Sequence, residues 1–99
     1  MAKYEIYVCL TEKPNIDELN KIGLRLCEKY GGLTIIPNCR GLWINDNTKQ
    51  IESDKVEIWR LLTDKVILPS EIIELGEQLK RICKQKLQLI TCNDVAYFV

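Results

Sequence analysis

Ninety-nine residues are enough for one modest core, and the expectation is a single α+β domain over residues 1–99. Lysine plus arginine total 14 and aspartate plus glutamate total 14, so no net basic field exists to hold nucleic acid or an anionic membrane. There is no histidine, which removes the usual general base, the commonest metal ligand and every histidine-activated nucleophile.

Residues 4–10 alternate, with Tyr4, Ile6, Val8 and Leu10 on one face and Glu5, Tyr7 and Cys9 on the other, which predicts a strand. Asn15 with Glu18 three residues on forms a capping-box pattern. Ile16, Leu19, Ile22, Leu26 and Tyr30 follow at helical spacing, and Gly31-Gly32 ends the helix. Residues 33–36 read as a short strand ended by Pro37-Asn38, and residues 41–45 as another. Asp46 to Lys49 is a polar turn, from which residues 50–62 return antiparallel. In that return Val56, Ile58 and Leu62 share one face, expected inside, and Glu57, Trp59 and Leu61 share the other, expected outside. Pro69-Ser70-Glu71 opens a second helix with the stripe Ile72, Leu75, Leu79, Ile82 and Cys83. Its acids lie early and its bases late, as the helix dipole favours. Residues 87–92 form a strand, Asn93-Asp94 a tight turn, and residues 95–99 a last strand or tail.

Strand, helix, two or three strands, helix, strand is the order of an antiparallel sheet with both helices on one face. The expected fold is the ferredoxin-like βαββαβ plan with an extended middle and a C-terminal tail. Leu19, Leu26, Leu75, Leu79 and Ile82 are the expected core. The opposite sheet face would then carry Tyr7, Trp59 and Leu61 as an interaction surface. A second copy (a homodimer), a protein partner, or residues 95–99 folded back would cover it.

Lys80, Arg81, Lys84 and Lys86 form the one basic cluster, a candidate nucleic-acid contact of weak, salt-sensitive kind, set against a solvated helix end. Cys39 beside Arg40 is a candidate low-pKa thiol with no histidine to serve it. The five cysteines contain no Cys-x-x-Cys pair; Cys27 and Cys83 read as buried apolar residues, and Cys9, Cys39 and Cys92 are freer to form a disulfide. No catalytic residue, metal or cofactor is assigned. No apolar run is long enough for a membrane span, and residues 1–5 open without an apolar leader segment, so the expected setting is intracellular.

Thirteen isoleucines, ten lysines against four arginines, nine glutamates and no histidine suggest an AT-rich coding sequence or a hyperthermophile, although six asparagines argue against a purely thermal cause. In size, cysteine content and the stretch Gly31-Gly32-Leu33-Thr34 … Gly41-Leu42-Trp43, the chain resembles small uncharacterised proteins of filamentous viruses that infect hyperthermophilic archaea. That resemblance implies a very stable accessory protein of the host cytoplasm without catalysis; the alternative is a nucleic-acid-binding module.

Overall fold

Strand β1 (Ala2–Cys9) lies in the middle of the sheet and sets its two faces. The computed structural model describes residues 1–99, and its elements follow as α1 (Ile16–Tyr30), β2 (Thr34–Ile44), β3 (Ile51–Thr63), α2 (Pro69–Cys83), β4 (Leu89–Cys92) and β5 (Val95–Phe98). The strands form one sheet in the order β2-β3-β1-β4-β5, every neighbouring pair antiparallel. Both helices pack on one side of it, the ferredoxin-like plan with a fifth strand added at the β4 edge.

Local chemistry explains the helix ends. The Asn15 side chain accepts from the Glu18 N–H at 3.1 Å, and Gly31 closes α1 at φ 92, where a side chain would be strained. Pro69 starts α2, which has no side-chain cap, and Lys84 ends it at φ 55.

The core lies between the helices and the Tyr4, Ile6 and Val8 side of β1. Leu19, Ile22 and Leu26 enter it from α1, and Ile72, Leu79 and Cys83 from α2. Of the five expected core residues, Leu19, Leu26 and Leu79 are buried, and Leu75 and Ile82 pack partly buried against them.

Strand β3 corrects the expected faces. Trp59 stands opposite Ile6 and Leu61 opposite Tyr4, so both point at the helices, 2% and 1% exposed. Directly paired residues share a face, and a one-residue slip in pairing exchanges the faces of a whole strand. Val56, Ile58 and Leu62 therefore occupy the outer face. The Trp59 indole donates to Glu57 Oε1 at 3.0 Å, which satisfies its buried N–H.

Strand β2 is one strand, not two. Ile36 pairs with Ile58 and Cys39 with Val56, so two residues, Pro37 and Asn38, stand against the single Glu57. This is a bulge, with Asn38 at φ 58. Proline is tolerated here because β2 is an edge strand. Beyond the bulge, pairing runs out to Ile44 opposite Ile51, so β2 and β3 continue as a two-stranded arm. The Asn45 side chain accepts from the N–H groups of Asn47 and Thr48 to close its tip.

The C-terminal residues do not fold back over the outer face. Asn93 and Asp94, at φ 48 and 69, turn the chain so that β5 pairs with β4. Val99 exchanges both backbone hydrogen bonds with Gln88, and its side chain lies under Gly76, where an added Cβ would come within 2.6 Å.

Candidate functional site on the uncovered sheet face

No helix covers the second face of the sheet. Register places Thr34, Arg60, Glu5, Thr91 and Ala96 in one row across all five strands of that face. The row below it is apolar, with Ile36, Ile58 and Tyr7, and then Leu89 beside Phe98. Of the expected surface Tyr7, Trp59 and Leu61, only Tyr7 belongs here; it is half-buried.

Glu5 anchors the polar row. Its side chain is 11% exposed although it points away from the helices. The Arg60 guanidinium donates from Nε at 3.1 Å and Nη2 at 2.9 Å, both to Oε2. The other oxygen, Oε1, has only Lys3 Nζ at 3.9 Å, and that ammonium also pairs with Asp94 at 3.2 Å. Beyond Glu5 stands Thr91, whose hydroxyl is the one buried side-chain polar atom without a hydrogen-bond partner. An unmade bond of this kind costs about 1–3 kcal/mol and calls for an explanation. One carboxylate oxygen and one hydroxyl are therefore underused side by side, against an apolar row carrying Tyr7 and Phe98.

The outer groove between the helices is the competing site. A cleft of about 260 Å³ is lined by Ile22, Leu26, Ile67 and Leu75 and by a polar cluster around Glu71. Glu71 Oε2 accepts from Lys29 Nζ at 2.9 Å and from the Tyr30 hydroxyl at 2.8 Å. These bonds from Lys29 and Tyr30 lower the Glu71 carboxyl below its ordinary value, and the Glu71 bond raises Lys29. Burial, then the Glu71 contact, pushes the Tyr30 phenol up. Glu71, Lys29 and Tyr30 are thus engaged within the chain, as a strap tying the end of α1 to the start of α2.

The basic cluster lies at the end of α2, on the helix side of the molecule. Lys80 pairs with Glu77 at 3.1 Å, Lys84 is the C-terminal cap, and the carbonyls of Lys80 and Arg81 accept from Gln85 and Lys84. Lys86 follows the cap, exposed. Cys39 sits on the uncovered side of β2 with its Sγ 3.8 Å from the Ile36 and Pro37 carbonyls. Arg40, next in the strand, points to the opposite side, so the guanidinium expected to activate the thiol faces away. All five cysteines are free thiols, including the three expected to be able to pair, and burial pushes Cys83 up to about 11. Cys83 is buried as expected, while Cys27 is only partly so.

No family model and no curated protein matches the chain. Solved structures share its fold. A phage SAM lyase in complex with S-methyl-5'-thioadenosine is 13% identical, with TM-score 0.66 over 99% of this chain and 88% of that one. The phage SAM lyase in its apo state gives TM-score 0.64 at 11% identity over 99% and 87%. The divalent cation tolerance protein CutA1 of Thermus thermophilus gives TM-score 0.60 at 15% identity over 96% and 84%. These likenesses establish the fold, and they say nothing about archaeal filamentous viruses. They also correct the functional expectation. The expected role is an accessory protein without catalysis, with a nucleic-acid module using the sheet face or the basic end of α2 as the alternative, and neither is what the fold's neighbours point to. The fold instead serves a lyase over nearly the whole chain length. As for membranes, no helix is long and apolar enough to cross one.

Proposed function

We propose that this protein binds a sulfur-bearing adenosine nucleoside on the uncovered sheet face and cleaves the sulfonium form, as a SAM lyase does. The observation that carries this reading is the unpartnered Thr91 hydroxyl beside Glu5 and Arg60, in a fold shared with a protein that holds S-methyl-5'-thioadenosine. The chemistry suits the residues. The step balances when the substrate's own carboxylate oxygen bonds the carbon that sulfur leaves: the carbon–sulfur electron pair goes to sulfur, a neutral thioether and a lactone result, and the protein's task is placement. Arg60 matches a ligand carboxylate, Glu5 Oε1 an ammonium or hydroxyl, and Thr91 gains the bond it lacks. Tyr7 and Phe98 offer ring faces to a base or a sulfonium. Both sites hold an internally paired charge cluster, and only the sheet face adds a buried hydroxyl without a partner, which is why the sheet face is preferred.

Calorimetry with S-methyl-5'-thioadenosine, and release of that product from SAM, test the reading. The informative variant is Thr91→Val, which keeps shape and removes the orphan hydroxyl. It is expected to stabilise the fold by about 1–3 kcal/mol while weakening binding at least about tenfold. Wild-type protein that neither binds the thioether nor releases it from SAM overturns the proposal, as does a Thr91→Val variant that binds as well as wild type.

A further inference from the structure

The groove between the helices has two ends of different chemistry. At the end near Glu71 the charges are paired within the chain. Toward the start of α1 and the end of α2 it opens into a second cavity of about 480 Å³. Ile22, 3% exposed, and the partly buried Ile82 give that cavity an apolar lining. Its charges are Lys21 and Arg25 from α1 and Arg81 from α2, against one carboxylate, Glu18. None of these three cations belongs to an ion pair. Lys29 and Lys80, on the same two helices, each have a carboxylate partner. Arg25 instead donates from Nη2 to Gln78 Oε1 at 3.3 Å, which holds its guanidinium across the groove. Lys21 and Arg25 stand four apart on one helix, a spacing at which like charges repel, and Arg81 joins them from the facing helix.

We propose that this cavity binds a small phosphate monoester, its phosphate held by Lys21, Arg25 and Arg81 and its apolar body lying on Ile22 and Ile82. The charges match. Three cations against Glu18 leave two positive charges, and a phosphate monoester carries about −1.5 to −2 near pH 7. A single carboxylate would leave a cation over. Two guanidiniums and an ammonium also supply enough N–H donors for all three terminal phosphate oxygens, and guanidinium geometry suits phosphate. The volume lies within the range of small-molecule sites, which are mostly apolar with a few convergent polar groups. The cations line one cavity rather than a strip, which suits a single phosphate. The site is on the helix side of the sheet, so it is separate from the Glu5–Arg60–Thr91 row and does not rest on the nucleoside reading.

The test is calorimetric titration of the full chain with phenyl phosphate, with benzoate and inorganic phosphate beside it. Phenyl phosphate is expected to bind saturably, at least about tenfold more tightly than benzoate, which brings one charge, and at least about threefold more tightly than inorganic phosphate, which brings no apolar body. Its affinity is expected to rise as the second phosphate proton leaves at about pH 6, and the chain has no histidine to titrate there. Arg25→Gln and Arg81→Gln are each expected to weaken binding at least about tenfold, and Lys86→Gln, an exposed cation outside the cavity, less than about twofold. Should Arg81→Gln lose its helix signal in circular dichroism, Lys21→Gln takes its place. No saturable binding, benzoate binding as tightly as phenyl phosphate, or an affinity unchanged across the second phosphate ionisation overturns the site. So does Lys86→Gln weakening binding as much as Arg81→Gln, which would be diffuse attraction to the basic end of α2. Inorganic phosphate binding as tightly as phenyl phosphate overturns the apolar body. Failure of the thioether to bind the sheet face leaves this result untouched, and the reverse also holds.

Discussion

The two faces of the one sheet show how differently the same strands can be used. On the helix side, Tyr4, Ile6 and Val8 of β1 meet Trp59 and Leu61 of β3, and all are buried among aliphatic side chains. On the other side Glu5, Tyr7 and Cys9 meet Arg60, Ile58 and Val56, with an ion pair at the centre and a hydroxyl left over. The first face is fully satisfied within the chain. The second is half-buried and incompletely bonded, with the Thr91 hydroxyl left without a partner.

The largest expected effect compares the two tryptophans. Trp59 is 2% exposed and Trp43, on the arm, 45%. Trp59→Ala is expected to cost about 3–5 kcal/mol, Leu79→Ala about 2–5, and Trp43→Ala under about 1 kcal/mol. Urea midpoints measure all three. Equal losses at Trp59 and Trp43 would mean that the faces are not as different as described.

A smaller effect is expected at the sheet's β5 edge. Gly76→Ala puts a Cβ where Val99 lies, 2.6 Å away, so the C-terminal residue must move. The expected loss is about 1–3 kcal/mol, with faster amide exchange at Gln88 and Val99 and little change in β1. Unchanged exchange at Val99 would show that the last residue does not pack under α2.

The fold was legible where capping and periodicity act locally. Asn15, Gly31 and Pro69 punctuate the helices, and the alternation of β1 identifies its inner face without help. Strand β3 resisted because it is apolar on both sides: Val56, Ile58 and Leu62 make as good an inner face as Trp59 and Leu61. Its choice is made by register against β1, a long-range property that no local pattern carries. Strand β2 resisted for a related reason. Pro37-Asn38 looks like a strand end and is a bulge, possible because β2 lies at an edge, and edges are known only once the sheet is assembled. The candidate site depended on both. Glu5 is visible as an acid on an alternating strand, but its partner Arg60 and its neighbour Thr91 join it only through register.

The smallest expected effect is the pH dependence of the interhelical strap. Glu71 lies below its ordinary 4.5, so its contribution is present above that pH and lost as pH falls through the lowered value. Lys29 lies above its ordinary 10.5, so its contribution is present below that pH and lost as pH rises through the raised value. Lys29 is exposed and Glu71 partly so, and solvent screening keeps the contribution small. Glu71→Gln should flatten the acid limb of a stability–pH curve and weaken the alkaline one. An acid limb identical to that of wild type would mean that the strap contributes nothing.

The most direct measurement for the uncovered face is a nuclear magnetic resonance titration of the protein with S-methyl-5'-thioadenosine, read at the backbone amides and the Thr91 methyl. The predicted result is saturable shifts centred on Glu5, Tyr7, Arg60 and Thr91, with the groove residues Lys29, Glu71 and Gln78 unmoved. Shifts centred on that groove, or no saturable shift at all, would contradict the assignment of the site to the sheet face.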